Sequence, residues 1–97
     1  MERFHFTLYV AGSSYRSQQA LANLRRLADA CLGADYDLDT VDVLADPQAA
    51  EENRILTTPT VIRSVPSPAR RVTGDLSDPQ LVVAALDLPT WMQGRLT

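Results

Sequence analysis

The chain is short of the residues on which disulfide-rich and metal-stapled folds depend. Its 97 residues include one cysteine, Cys31, and one histidine, His5. A single thiol forms no internal disulfide, and one thiol with one imidazole falls short of a structural zinc set. We therefore expect a fold without disulfide, metal or other cofactor.

Long apolar runs and an excess of positive charge are also missing. No run approaches the roughly 20 apolar residues that cross a bilayer, and Met1 to His5 lacks the layout of a signal peptide. All nine basic residues are arginine, and against twelve acidic residues they leave a formal net charge of −3. An acidic chain gains little from displacing phosphate counterions. We expect a cytoplasmic protein that binds neither membrane nor nucleic acid.

The length of the chain limits its organisation. A chain of 97 residues has room for one hydrophobic core. Its apolar fraction of 45% is ordinary for a globular protein, so it is expected to fold. We predict a single domain over residues 1–97, in which residues 89–97 form a short tail.

The first half of the chain alternates between strand and helix patterns. Residues 4–11 place apolar side chains at every second position, which predicts a strand. The next apolar residues recur at intervals of three and four, which predicts a helix from Ser14 or Ser17 to Leu32. A second alternating run over residues 35–43 predicts another strand. A crossover of this length makes the two strands parallel.

A short polar helix is predicted next, from Gln48 to Ile55. Asp46 is placed to cap its amino end, and Pro47 suits the first helical position. Glu51 and Glu52 are expected to be favourable near that end of the helix dipole. Because the segment is polar and short, much of it should face solvent.

The second half predicts a hairpin and a last helix. Thr60–Ser64 and Arg70–Thr73 are short β-like runs, and the prolines between them place a loop there. Ser77 and Gln80 have capping-box spacing at the start of an apolar run over residues 81–86, which favours a helix. The first half of that run is also consistent with a buried strand, and periodicity leaves both interpretations open.

The order βαβαββα is that of the three-layer, thioredoxin-like α/β fold. Thr58-Pro59 precedes the third strand, where that fold carries a cis-proline. Thioredoxin-type enzymes place Cys-x-x-Cys after the first strand, whereas this chain reads Gly12-Ser13-Ser14-Tyr15-Arg16 there. We therefore expect no dithiol exchange.

Other catalytic interpretations have little support. Cys31 lies on the apolar stripe of the first helix, which favours a buried small hydrophobe, with a monothiol redox enzyme as the alternative. A triad of Ser13 or Ser14 with His5 and Asp42 lacks a nucleophile elbow. We expect no enzyme.

Three stretches resemble the KaiB family of circadian clock proteins: LYVAG at 8–12, DVLADPQAAEENRILTTPT at 42–60 and RRVTGDLS at 70–77. The middle stretch is long and specific. The resemblance implies a non-enzymatic binding module that docks on a KaiC-type ATPase ring in a bacterial timing or stress-response system. The alternative is a thioredoxin-like sensor domain of a histidine kinase, which resembles KaiB and binds the same ring.

The resemblance also implies which residues meet a partner. The ring-binding surface of the family maps onto the short second helix, at Gln48, Glu51, Glu52, Asn53 and Arg54. A second stretch, expected at the sheet edge, would offer backbone groups to a further partner; it consists of Val43, Leu44 and Ala45. Asn53 stands where the family usually has aspartate, and Ala45 stands where lysine is common.

The KaiB family switches folds, and the resemblance implies a second state of order βαββααβ that is typically tetrameric. We expect Pro59, Ala85 and Asp87 to matter for this change. Ala85 replaces a glycine that is usual in the family, and alanine for glycine inside a helix gains about 0.5 to 1 kcal/mol. This favours the thioredoxin-like state. The chain ends at Thr97 without the family's common acidic tail, from which we expect a monomer or dimer.

Overall fold

Seven elements follow one another in the predicted order, as seen in a computed structural model that describes residues 3–89. They are β1 (Phe4–Val10), α1 (Tyr15–Leu32), β2 (Tyr36–Asp42), α2 (Pro47–Glu52), β3 (Thr60–Val65), β4 (Arg70–Thr73) and α3 (Pro79–Leu86). Of the predicted tail, residues 89–97, all but Pro89 lie outside the described residues. Within residues 3–89, no helix combines the length and apolar character that crossing a membrane requires.

The four strands form one mixed sheet in the order β2-β1-β3-β4. β1 runs parallel to β2, and Val10 pairs with Asp42 at their ends. β3 is antiparallel to both of its neighbours, so that Thr60 at its start pairs with Tyr9 of β1 and Thr73 of β4. The carboxyl ends of β1, β2 and β4 therefore meet the amino end of β3. We call this the apical end of the domain.

The hydrophobic core lies between one face of the sheet, the inner face, and the helices α1 and α3. Phe6 and Leu8 of β1 face inward and are fully buried. The helices contribute a continuous set of buried side chains, which includes Ala20, Leu24, Leu27, Ala28, Cys31, Val82, Val83 and Leu86. Burying one leucine or phenylalanine side chain contributes roughly 1.5 to 3 kcal/mol, so this cluster is the main support of the fold.

The helix α2 belongs to the opposite side of the sheet, the outer face. Arg71 of β4 pairs with Ile62 of β3, one position away from the inward-facing Val61–Val72 pair. Because side chains alternate along a strand, Arg71 points to the outer face. There its guanidinium donates to the carbonyl oxygen of Arg54, just beyond α2, at 3.2 Å. The sheet therefore has helices on both sides, which confirms the predicted layers.

The last helix confirms one of the two open interpretations and corrects the predicted cap. Residues 81–86 are helical, so the strand interpretation is wrong. The cap is Asp78, whose carboxylate accepts the N–H of Leu81 at 3.3 Å, and not Ser77. Pro79 then takes the first helical position, where its missing N–H costs no hydrogen bond.

The helix α2 is shorter than predicted. It ends at Glu52, because Asn53 caps it and Arg54 adopts a positive φ of 53°. Glu51 and Glu52 are consequently its last two residues. The expectation that they lie near the amino end of the helix dipole is wrong, while the predicted roles of Asp46 and Pro47 at the amino end are confirmed.

The hairpin between β3 and β4 encloses a buried arginine. Arg63 is 3% exposed and lies on the inner face opposite Phe6. One of its terminal nitrogens donates to the carbonyl oxygen of Pro68 at 2.7 Å, and its guanidinium carbon lies 5.8 Å from the centre of the Phe4 ring. The Nε atom has no hydrogen-bond partner in the described part of the chain. The peptide bonds preceding Pro59, Pro66 and Pro68 are cis, the first as the fold comparison predicts.

Candidate functional site

The helix α2 and the segment after it form a surface that is tied to the domain but contributes nothing to its core. None of the six residues of α2 is buried. Four of the five predicted contact residues are exposed, namely Gln48, Glu51, Glu52 and Arg54, and Asn53 is half-buried. The structure therefore brings these five side chains together on one accessible segment, residues 48–54, which we call the α2 patch.

The α2 patch is held by hydrogen bonds at both ends of the helix. At the amino end the Asp46 carboxylate accepts the N–H of Ala49 at 3.1 Å. At the carboxyl end the Asn53 side chain donates to the Ala49 carbonyl oxygen at 2.9 Å, and the N–H of Ile55 donates to the Ala50 carbonyl oxygen at 2.8 Å. A six-residue helix is too short to be stable alone. These caps therefore fix the surface.

Arg71 adds a fixed point from the sheet. Its guanidinium donates to the carbonyl oxygen of Asn53 at 3.0 Å and to that of Arg54 at 3.2 Å. A planar guanidinium can bind two acceptors at once, which an ammonium group does not match in geometry. Burial raises the pKa of Tyr9 beneath it, and the positive charge of Arg71 opposes that rise. The sheet thus determines where the end of α2 lies.

Within the α2 patch the side chains differ in their freedom. Gln48 donates to the carboxylate of Glu52 at 2.9 Å, one helical turn away, so these two side chains support each other. The Asn53 amide nitrogen is committed to the cap. Glu51 and Arg54 project from the same segment and are exposed. A partner would therefore meet a surface of mixed charge on a fixed backbone.

The residues Val43, Leu44 and Ala45 form a turn and do not prolong the sheet edge as predicted. The N–H of Val43 donates to the Val10 carbonyl oxygen at 2.8 Å. The N–H of Leu44 donates to the Asp42 carboxylate at 3.0 Å, and that of Ala45 to the Asp42 carbonyl oxygen at 3.1 Å. All three N–H groups are used within the chain, so a partner of this stretch would have to use its carbonyl oxygens or side chains. The Leu44 side chain is 71% exposed.

The carboxylate of Asp42 ties this turn to the end of β1. It accepts the N–H of Gly12 at 2.9 Å as well as that of Leu44. The hydrogen bond from Gly12, followed by that from Leu44, holds the pKa of Asp42 below its usual value of 3.8. Gly12 itself has a positive φ of 64°, a conformation that costs glycine little.

The loop in which thioredoxins carry their thiols is structural in this chain. Ser14 caps α1 by accepting the N–H of Ser17 at 3.2 Å, and its hydroxyl donates to the Ser17 hydroxyl at 2.9 Å. Cys31 lies at the other end of α1 with 2% of its surface exposed, and burial raises the pKa of its thiol. A high pKa and restricted access both lower the reactivity of a thiol.

The structure does not bring the candidate triad of serine, histidine and aspartate together. The His5 ring lies 2.8 Å from the carboxylate of Asp39, on the outer face, and Asp42 serves the apical turn. Val10 lies five positions after His5 along β1, a distance of roughly 17 Å, and Ser14 lies beyond Val10. Over residues 3–89, no group of three or more His, Cys, Asp or Glu side chains is placed to hold a metal ion.

Of the three residues expected to matter for a change of fold, one lies before β3 and two lie at the end of α3. Pro59 is buried at the entry to β3, and its carbonyl oxygen accepts the N–H of Gly74 at 2.9 Å. Ala85 lies inside α3, and Asp87 ends that helix in the left-handed conformation, with φ 52° and ψ 54°. Ala85 therefore lies inside a helix, which is the condition for alanine to stabilise this state relative to glycine.

Two features of this site were missed by sequence reasoning. The sequence shows Arg71 only as part of a stretch that resembles the KaiB family, and its hydrogen bond to a segment 18 residues earlier leaves no local signal. Strand alternation could have placed the side chains of Arg71 and Val72 on opposite faces of the sheet, but it does not identify the acceptor of the Arg71 hydrogen bonds. The exposure of the Leu44 and Leu56 side chains was likewise not predicted, because it depends on how the turns fold.

Comparisons with known proteins agree with this geometry. The KaiB domain model matches residues 7–88. The chain is 44% identical to the circadian clock protein KaiB3 of Synechocystis sp. over 97 residues, which is 99% of this chain and 95% of that protein.

Two solved structures extend the comparison to the fold. The N-terminal domain of Synechococcus elongatus SasA aligns with a TM-score of 0.74 at 20% identity, over 97% of this chain and 87% of that one. Mitochondrial thioredoxin 3 of Saccharomyces cerevisiae aligns with a TM-score of 0.69 at 16% identity, over 90% and 79%. The fold is thioredoxin-like.

Proposed function

Because the chain belongs to the KaiB family, we propose that it is a clock protein that docks, without catalysing a reaction, on a KaiC-type ATPase ring in the cytoplasm. The observation that carries this proposal is the α2 patch. It contributes no buried residue to the core, yet it is fixed by two caps and by Arg71. A surface that is rigid but not needed for the core is suited to recognition, since little ordering entropy is lost on binding.

The state of the loop after β1 supports a role without catalysis. The seryl side chain at the start of α1 is engaged in capping, and the thiol of Cys31 is buried far along the helix. The chain has the scaffold of a thioredoxin, but its thiol is buried where a substrate could not reach it.

We extend the proposal to a second state of the same chain, in which the second half rearranges and the protein forms larger oligomers. In support, β3 and the residue that ends α3 carry features that cost this fold free energy. Arg63 is buried and pairs with no carboxylate within residues 3–89, and Asp87 holds a left-handed conformation. Two packings of one sequence can then differ by only a few kcal/mol.

The docking proposal is tested by binding to a purified KaiC-type ATPase from the genome that encodes this chain. The wild type is expected to bind. Glu51→Arg and Glu52→Arg are expected to weaken binding at least tenfold, because interfaces arrange opposite charges and like charges are penalised. Asp35→Arg, an exposed position at the opposite end of the sheet, is the control and should bind normally. Unchanged affinity of both glutamate variants would contradict the assigned surface.

The non-enzymatic part of the proposal has its own test. Thiol titration of the native protein should be slow, and insulin reduction should be absent from both the wild type and Cys31→Ala. Activity in the wild type that disappears in Cys31→Ala would establish a monothiol redox enzyme in its place. Binding to the ring should not change in Cys31→Ala.

A further inference from the structure

Large apolar side chains that face solvent are few in the described chain, and they lie at the same end of the sheet. They are Tyr15, Leu44, Leu56 and Leu81, exposed by 74%, 71%, 92% and 54%. Scattered exposed leucines are ordinary in soluble proteins, but a group of them on one surface marks an interaction site.

The topology places all four side chains at the apical end. Tyr15 follows the loop after β1, and Leu44 follows β2. The Leu44 side chain lies against that loop at Gly12. A Cβ atom on Gly12 would be 3.6 Å from the Leu44 Cδ1, which is van der Waals contact. Leu56 lies in the segment that leads into the amino end of β3.

Leu81 completes this group from the other side of the sheet. It lies in the first turn of α3 and lines a small cavity together with Arg16 and Gly74, which follow β1 and β4 respectively. The apical surface is therefore defined by residues 11–16, 42–59 and 74–81. Leu44 and Leu56 are the large, exposed apolar residues on either side of α2.

The apical surface is also acidic. It carries six carboxylates, Asp42, Asp46, Glu51, Glu52, Asp75 and Asp78, against the two arginines Arg16 and Arg54. In the remainder of residues 3–89, five carboxylates stand against six arginines. The negative charge of the described chain is thus concentrated where the exposed leucines lie.

This charge decides between possible occupants. A second copy bound through a two-fold axis would bring the same acidic surface against itself, and a bilayer of anionic lipids would repel it. A protein surface with apolar pockets among basic residues is complementary to it.

We propose that Leu44 and Leu56 are the apolar anchors of the docking surface, inserted into apolar pockets of a protein partner whose surrounding residues are basic. This inference rests on the proposed docking function and adds to it the apolar side chains that anchor the contact. Interfaces depend on a few central, desolvated anchors, and surrounding charges contribute specificity and association rate.

The test compares Leu44→Ser, Leu56→Ser and the double variant in binding to the purified KaiC-type ATPase. Each single variant is expected to weaken binding at least tenfold, and the double variant at least thirtyfold. Both side chains are exposed, so unfolding temperatures should stay close to that of the wild type. Ala34→Ser, an exposed apolar-to-polar change at the end opposite to the apical surface, is the matched control and should bind normally.

The outcomes separate this inference from the docking proposal. If the wild type binds and only the glutamate variants lose affinity, docking stands and the anchor assignment is overturned. If the wild type does not bind, both are overturned. The assignment also fails if the leucine variants bind the ATPase normally but lose self-association in sedimentation, or lose binding to vesicles of equal parts phosphatidylglycerol and phosphatidylcholine.

Discussion

The guanidinium of Arg71 lies 3.0 Å from the carbonyl oxygen of Asn53, so that a side chain of β4 fixes the end of α2. The two residues are 18 positions apart, and β3 lies between them in the chain. Any property of the α2 patch therefore depends on the sheet edge that bears Arg71.

Replacing Arg71 should loosen the α2 patch. Arg71→Met removes two hydrogen bonds to carbonyl oxygens, each worth about 0.5 to 1.5 kcal/mol. We expect faster hydrogen exchange of the amides after Glu52 and an affinity for the KaiC-type ATPase lower by about fivefold, which corresponds to about 1 kcal/mol. Arg71→Lys should give an intermediate effect, because an ammonium group does not span both acceptors. Arg25→Met on α1, which removes an arginine from the other side of the sheet, should change neither measurement.

Replacing the buried Arg63 should stabilise the thioredoxin-like fold. A buried donor without a partner costs about 1 to 3 kcal/mol, and its removal outweighs loss of the bond to Pro68 and of the contact with Phe4. We expect Arg63→Met to raise the free energy of unfolding by about 1 kcal/mol in urea titrations, or the unfolding temperature by about 4 to 8 °C. Arg70→Met, at the exposed partner position on β4, should stay within about 0.5 kcal/mol. Destabilisation by Arg63→Met would show that the guanidinium supports this fold.

Two substitutions near the end of α3 should shift the proposed two-state equilibrium in opposite directions. Ala85→Gly costs a helix about 0.5 to 1 kcal/mol, which should raise the population of larger oligomers several-fold. Asp87→Gly removes the steric cost of a left-handed residue, up to about 1 kcal/mol, and should lower that population. Sedimentation velocity measures both. If neither variant changes the distribution of species, the two-state proposal is wrong.

Asp42 should make stability depend on pH in the acid range. Its pKa is lowered in the folded state, first by the hydrogen bond from Gly12, so its contribution is present above the unfolded pKa of about 3.8 and is lost as pH falls through the folded value. Between pH 6 and pH 2, the wild type should therefore lose more stability below about pH 4 than Asp42→Asn does. Asp35→Asn is the control, because Asp35 is an exposed aspartate at the opposite end of the sheet from Asp42. Identical profiles for the wild type and Asp42→Asn would contradict this account.

The order of the elements could be predicted because each depends on local periodicity. The alternation in β1 and the three-to-four spacing in α1 match the observed burial closely. The cap of α3 was misassigned by one residue, since both Ser77 and Asp78 suit an amino-terminal cap. The Asp-Pro pair that starts α2 recurs there, and it would have identified Asp78, because proline favours the first helical position.

The candidate site could be predicted only in part, for a physical reason. The location of the α2 patch follows from residues that are contiguous in sequence. Its fixation by Arg71, the turn at Leu44 and the burial of Arg63 depend on contacts between distant segments. No local pattern encodes such contacts.

The uneven distribution of charge also gives the folded molecule an electric dipole. With its negative end at the apical surface and a slightly positive remainder, the protein should turn that surface towards a basic target before contact. Such steering raises the rate of productive encounter and weakens as salt shortens the Debye length, which is about 10 Å at 0.1 M. The position of the six carboxylates therefore affects how the protein is oriented as it approaches a partner, as well as the contacts of the bound state.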